Sequence, residues 1–208
     1  MQIIVRASAE QKEEWQSKPA ATKVGVKFIS AEEDIFSMQN ADVYFDLLFE
    51  KSSAARTNND KLIFVHAINE LLHELPANCV RINAWNGFLK RDVIEIVASE
   101  KNKVVASRVM EHLGWNHIFV ADIRGMIAAR TICMIINEAY YALGDSVSTK
   151  EEIDTAMKLG TNYPYGPFEW SQKIGLNNIY TLLRSLFVED DRYIVAPYLE
   201  QESTFNSF

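Results

Sequence analysis

The run Glu152-Ile-Asp-Thr-Ala-Met-Lys-Leu-Gly160, continued by Asn162-Tyr-Pro-Tyr-Gly-Pro-Phe-Glu169, reads as a short helix that stops at Gly160, a bend, and a second helix reaching Gly175. Proline fixes φ and glycine accepts the conformations a turn requires, so Pro164 and Gly166-Pro167 separate the two helices sharply. Just upstream, Ser148-Thr-Lys-Glu151 reads as a capping box opening a helix over Ile153–Leu159. Further upstream, Gly125 to Leu143 is one long apolar helix; further downstream, helices are expected over Phe168–Ile174 and Asn178–Phe187, with Gln201–Phe208 a loosely held tail. This end of the chain is therefore all-helical.

The first part has a different rhythm. Gln2–Val5, Val24–Ile29, Asp42–Phe49, Leu62–Ala67, Cys79–Trp85, Val93–Ala98 and His117–Ala121 read as strands. Helices are expected after Ser8, whose hydroxyl suits an N-cap, after Ser30-Ala-Glu-Glu33, over Asn69–Glu74 and over Val104–Leu113. Strands alternating with helices imply βαβ units and a parallel sheet of the Rossmann type. The boundary between the two parts is expected near residue 121, giving domains 1–121 and 122–208.

The helical run combines with Arg124-Gly-Met-Ile-Ala-Ala-Arg-Thr-Ile-Cys-Met-Ile-Ile-Asn-Glu-Ala139 into an ordered set: a glycine, apolar residues and an arginine, a long helix carrying Asn-Glu-Ala, an Ile-Asp-x-Ala-Met-x-x-Gly helix, and a Pro-x-Gly-Pro-x-Glu turn. This set resembles the C-terminal domain of the 3-hydroxyacyl-CoA dehydrogenases. The resemblance is good over roughly residues 117–185 and loose before them. It implies a shortened, degenerate Rossmann-type domain followed by an all-α dimerisation domain like that at the C-terminus of 6-phosphogluconate dehydrogenase. It also implies a homodimer through the Gly125–Leu143 helix, which in the family is covered by its symmetry mate.

The chemistry expected of that family is altered in four places. A dinucleotide site needs Gly-x-Gly-x-x-Gly after the first strand, so that backbone amides reach the pyrophosphate at a helix N-terminus. Ala7, Ala9 and Lys12 stand at those positions, with Glu10, Glu13 and Glu14 adding negative charge nearby. No acid for the ribose follows about 20 residues on, the second strand ending Phe28-Ile29-Ser30. By resemblance, Glu50 matches a glutamate near the cofactor, Asn83 falls on the catalytic histidine, Asn86 on the motif asparagine, Gly87 on its proline and Glu95 on the partner glutamate. The substrate-contacting asparagine is Ala129. An amide has no pKa near neutrality, so Asn83 cannot act as the base that takes the hydroxyl proton, although it can hydrogen-bond an oxygen. Losing a general base alone removes roughly 10²–10⁴-fold in rate.

Other function classes are disfavoured by composition. With 208 residues, a net charge of −7 and no basic cluster interleaved with aromatics, nucleic-acid binding is not expected. Met1–Val5 is too short for a secretory leader, and the Gly125–Leu143 stretch carries Arg130, Asn137 and Glu138, which suits a buried helix over a membrane span. Cys79 and Cys133 lack ligand spacing and read as buried thiols, and His66, His73, His112 and His117 lack it as well, so no metal site is expected. A cytoplasmic location follows. Strand alternation makes solvent the default for Glu95, flanked by Ile94 and Ile96. The sequence thus describes a dehydrogenase-like protein without NAD chemistry, holding an acyl-CoA or small acid or serving as a structural dimer. Its rival is a working NAD-dependent oxidoreductase of fatty acid metabolism in which Glu95 or His66 is the base.

Overall fold

The computed structural model describes residues 1–19, 24–38, 40–49 and 60–205. They form two compact units, Met1–Met126 and Ile127–Phe208. The division falls after residue 121 for a physical reason. Arg81, fully buried, donates to Ala67, Ile68 and Ile123 carbonyls and to Asp122, while Gly125 N–H donates to Ile68 O at 2.9 Å. These bonds hold residues 122–125 to the first unit.

The first unit is a seven-stranded sheet in the order β2-β1-β3-β4-β5-β6-β7. Its strands are β1 (Gln2–Arg6), β2 (Gly25–Ile29), β3 (Val43–Asp46), β4 (Ile63–His66), β5 (Cys79–Ile82), β6 (Val93–Val97) and β7 (Asn116–Phe119). Pairing is parallel throughout except between β5 and β6. One face packs under helices α1 (Ala9–Gln16) and α2 (Glu100–Leu113), where Phe45 and Phe64 stack at 4.3 Å beside Trp15, Met110 and Trp115. Burying each such aromatic contributes about 1.5–3 kcal/mol. The opposite face buries Ile4, Tyr44, Ile63, Val65 and Cys79 together with Ile35 and Leu75, next to short 3₁₀ turns at Ile35–Ser37 and Leu72–Glu74.

Those turns replace two expected helices. Glu33 does accept from the Ser30 N–H at 2.8 Å, yet residues 30–34 are all exposed, so there is no apolar face for a helix to bury. Over Asn69–Glu74 the backbone is recruited elsewhere, with Leu72 N–H bonding Asp122 and Leu71 N–H bonding Glu74. Two strands end early because side chains turn the chain. Asp46 accepts from Leu48 N–H at 3.2 Å, and Asn83 accepts from Trp85 N–H at 3.1 Å. Conversely, α2 begins at Glu100, earlier than expected.

The second unit comprises α3 (Ala128–Gly144), α4 (Lys150–Thr161), α5 (Pro167–Ile174), α6 (Leu176–Phe187) and α7 (Pro197–Phe205). The long apolar helix starts three residues after Gly125 because Gly125 and Met126 have φ of 78° and 51°, outside the right-handed helix. The α4 cap is Thr149 with Glu152, one residue on from the expected pair, and its stop is Asn162 at φ 55°, with Gly160 still helical. Asn is, after glycine, a residue that adopts the left-handed conformation at helix ends. The expected loose tail is instead α7, with Leu199 and Ser203 buried, and α7 packs against α3 and α6. Residues 206–208 lie outside the described residues.

Candidate functional site

In open α/β sheets ligands bind beyond the carboxyl ends of the strands, where the strand order reverses. Here that point lies between β1 and β3, which follow each other in the sheet on the side away from β2. It is filled by the unit's own polar side chains. Arg6 ends β1 and forms a two-pronged ion pair with Asp46 at the end of β3, at 2.8 and 3.0 Å, and also donates to Leu48 O at 3.0 Å. Fork-on-fork pairs of this kind fix geometry as well as adding energy.

The chain then enters α1 through Ser8, whose Oγ accepts from Gln11 N–H while Gln11 Oε1 accepts from Ser8 N–H at 3.0 Å. Gln11 is 6% exposed, and its Nε2 donates to both Leu47 O and Ala84 O at 2.9 Å. One amide therefore joins the helix start to the chain beyond β3 and beyond β5. A turn later Glu14, 4% exposed, accepts from Gly87 N–H at 2.5 Å through Oε1, and its Oε2 has no hydrogen-bond partner among the described residues. Gly87 sits at φ 93°, a conformation that favours glycine.

The loop that Gln11 and Glu14 hold carries the predicted catalytic positions. Asn83 is 4% exposed; its Oδ1 takes the Trp85 N–H and its Nδ2 finds no partner among the described residues. Asn86 is half-buried in the following turn. His66 ends β4, and its Nδ1 accepts from Ala84 N–H at 3.0 Å. Burial pulls its pKa down to about 4, against a smaller opposing pull from a backbone hydrogen bond involving Ile82. The imidazole is therefore neutral near pH 7 and a weak base.

Glu95 departs from its solvent default. It is 5% exposed on β6 and accepts from Arg91 at 3.3 Å. Ile82 pairs with Ile96 across the antiparallel β5–β6 ladder, and the next residues along the two strands are Asn83 and Glu95. The structure thus brings these two predicted positions together. Glu50 lies outside the described residues. Gln11 was not anticipated as part of the site, although Ser8-x-x-Gln11 has the capping-box spacing that would have flagged it.

These residues do not fit a dinucleotide. The cap and third-residue amides at the α1 start are taken by Gln11 and Ser8, and a pyrophosphate would have to displace the Gln11 bridge to approach them. Among the described residues no group of three or more His, Cys, Asp or Glu could hold a metal, and no helix is long and apolar enough to cross a membrane. Cys79 and Cys133 are buried thiols, and burial together with the nearby Asp46 charge pushes Cys79 up to about 12.

A Rossmann-type sheet followed by a helical unit is the architecture of two-domain dehydrogenases. The (S)-3-hydroxybutyryl-CoA dehydrogenase from Ralstonia eutropha shares the fold with a TM-score of 0.78 at 14% identity, over 99% of this chain and 94% of that one. Residues 125–204 match the family model described as 3-hydroxyacyl-CoA dehydrogenase, C-terminal domain. In sequence the chain is 32% identical over 173 residues to a 3-hydroxyadipyl-CoA dehydrogenase of Escherichia coli (strain K12), covering 80% of this chain and 36% of the relative. It is 26% identical over 183 residues to a 3-hydroxybutyryl-CoA dehydrogenase of Clostridioides difficile, covering 85% of this chain and 62% of the relative. The chain belongs to the 3-hydroxyacyl-CoA dehydrogenase family, and it spans between 36% and 62% of the length of the first curated relatives it matches.

Proposed function

We propose that this chain is a 3-hydroxyacyl-CoA dehydrogenase-like protein that keeps the fold and has lost NAD-dependent hydride transfer. The Gln11 bridge carries this reading, because it occupies the strand-end position where the family's dinucleotide loop would have to be open. Asn83 at the base position agrees with it, since the amide cannot accept a proton near neutrality. The retained role is that of a ligand-binding or structural protein, with an acyl-CoA or small acid as ligand and no NAD, in a reducing, cytoplasmic setting where buried Cys79 and Cys133 stay reduced.

The helical unit is proposed to form a homodimer through α3. A groove of about 700 Å³ runs along it, walled mainly by Met134, Ile135, Ala139, Ile153 and Met157. Such an apolar face on a surface helix is what a second helix covers.

A second reading, an active oxidoreductase on a 3-hydroxyacyl-CoA or related 3-hydroxy acid in fatty acid metabolism, is favoured by one observation: Glu95 is buried, and it and Asn83 are the next residues along the two strands after the Ile82–Ile96 pair. Titration with NADH followed by nicotinamide fluorescence separates the two. The expected result is no saturation up to millimolar NADH; saturation in the micromolar range would refute the proposal and favour the active enzyme.

A further inference from the structure

Among the helices of the second unit lies a cavity of about 370 Å³ whose charge pattern is separate from the candidate site. Its wall includes the rings of Tyr140 on α3 and Phe168 on α5, both 2% exposed and packed edge-to-face with centroids 5.0 Å apart. Lys150, the first residue of α4, lies over both rings, its Nζ 5.4 Å from each centroid. Nζ donates to Glu202 of α7, to Oε1 at 2.6 Å and to Oε2 at 2.8 Å, and Tyr140 Oη donates to the same Oε2 at 2.9 Å. Burial, together with the hydrogen bond and charge of Glu202, pushes the Tyr140 hydroxyl up, so it stays a neutral donor. Buried Ser171, Gln172 and the Gly175–Leu176 step complete the wall, and α6 begins at that step without a side-chain cap.

The Lys150–Glu202 pair is satisfied without being saturated. An ammonium has three donors and each carboxylate oxygen two acceptor positions. Nζ gives two hydrogens to Glu202, which leaves the third without an acceptor among the described residues, and Oε1 accepts only once. A positive donor and a negative acceptor therefore stand side by side, and no other described side chain in the wall is charged. A lone carboxylate drawn to Lys150 would meet Glu202, and a lone amine drawn to Glu202 would meet Lys150; each sets like charges together and loses affinity. A ligand carrying both charges a few bonds apart answers both partners. The first amides of a helix have no acceptor within it and favour a negative group, so the start of α6 supports Lys150 on the carboxylate side. We propose that this cavity binds a free amino acid with an apolar side chain. Its carboxylate lies at Lys150 and the start of α6, its ammonium at Glu202, and its side chain against Tyr140, Phe168 and Leu176. The volume suits so small a ligand, since small-molecule sites begin at about 300 Å³. The site lies wholly within the second unit, so it stands apart from both the NAD question and self-association through α3.

Three probes of one shape test it on the full chain: L-leucine, isocaproate, which lacks the ammonium, and isoamylamine, which lacks the carboxylate. Isothermal titration calorimetry is expected to show one saturable site for L-leucine, with each single-charge analogue weaker by about 10-fold or more. Glu202→Gln and Lys150→Met should each weaken L-leucine by about 10-fold or more, with circular dichroism checking that the variant is folded. Because either variant could loosen α7, the comparison of the three probes on the wild type decides by itself. Analogues that bind as tightly as L-leucine would overturn the proposal, as would L-leucine binding unchanged in folded Glu202→Gln. No saturation of the wild type by L-leucine, L-valine or L-methionine up to tens of millimolar would overturn it as well.

Discussion

The Asn162–Glu169 turn of the helical unit and the Asn83–Gly87 loop of the sheet unit both stand at positions where the family has a signature, and they have met different fates. In the helical unit the signature side chains serve backbone. Asp154, 8% exposed, accepts from Phe168 N–H at 2.8 Å and from Glu169 N–H at 3.1 Å, and so caps α5 from another helix. Gly166 is glycine because a Cβ there would run into that carboxylate, and Glu169 closes the turn on Gly166 N–H at 2.9 Å while pairing with Lys158. In the sheet unit, polar side chains in and beside the expected site also serve backbone: Gln11 on Leu47 and Ala84, Glu14 on Gly87, Asn83 on Trp85. A motif that holds the fold survives with its residues unchanged.

Four measurements break or sharpen this contrast. Removing the Asp154 carboxylate should do most damage, because two amides at the start of α5 lose a charged acceptor. Asp154→Ala is expected to cost about 3–4 kcal/mol in urea unfolding, at about 1.5–3 kcal/mol per charged hydrogen bond. A loss below about 1 kcal/mol would mean that the turn holds itself.

Acid comes next. His66 titrates at about 4 in the folded unit against 6.5 for the ordinary side chain, so its neutral form favours folding above pH 6.5 and that stability drains away between 6.5 and 4. The loss is on the order of 3 kcal/mol at most, at 1.36 kcal/mol per unit. His66→Gln should flatten that part of the stability profile, and an unchanged slope would remove His66 from the buried network.

Third, Asn137 is 2% exposed and reads the chain ahead of α7, donating to Ile194 O at 2.9 Å and accepting from Ala196 N–H at 2.8 Å. Asn137→Ala should cost about 2 kcal/mol and loosen α7, visible as faster hydrogen exchange there. The smallest effect belongs to the start of α1. Gln11→Ala should cost about 1–2 kcal/mol and show no saturable NADH binding, because Ala7 and Ala9 still stand where glycines are needed. Micromolar NADH binding by that variant would show that the amide alone keeps the site shut.

The sequence disclosed elements wherever local signals and burial agreed. Gln2–Val5, Leu62–Ala67 and Val93–Ala98 are apolar runs that became buried strands within a residue or two of their expected ends. It misled where a distant group decided the outcome. Nothing near Asn69 announces that its neighbourhood is held by Arg81, Arg124 and Asp122. Asn162 overtook Gly160 as the helix stop because both residues can adopt such ends, and only packing of the turn chooses between them. Glu95 was assigned to water by alternation, which assumes that a strand has one wet face, whereas this one is buried at Glu95 as well as at its neighbours. For the site, the altered glycine and histidine positions could be seen in advance; that the replacements would knit into one network could not, since its bonds join residues far apart in the chain.

That separation has a consequence for how the molecule comes to be made. Two hydrogen bonds of α1, Gln11 to Ala84 and Gly87 to Glu14, each span 73 residues, as does the Lys18 to Arg91 bond just beyond the helix. At eight residues α1 is too short to persist alone. Two of the groups that fasten α1, Ala84 O and Gly87 N–H, are therefore synthesised long after the helix itself, while Leu47 O is available earlier.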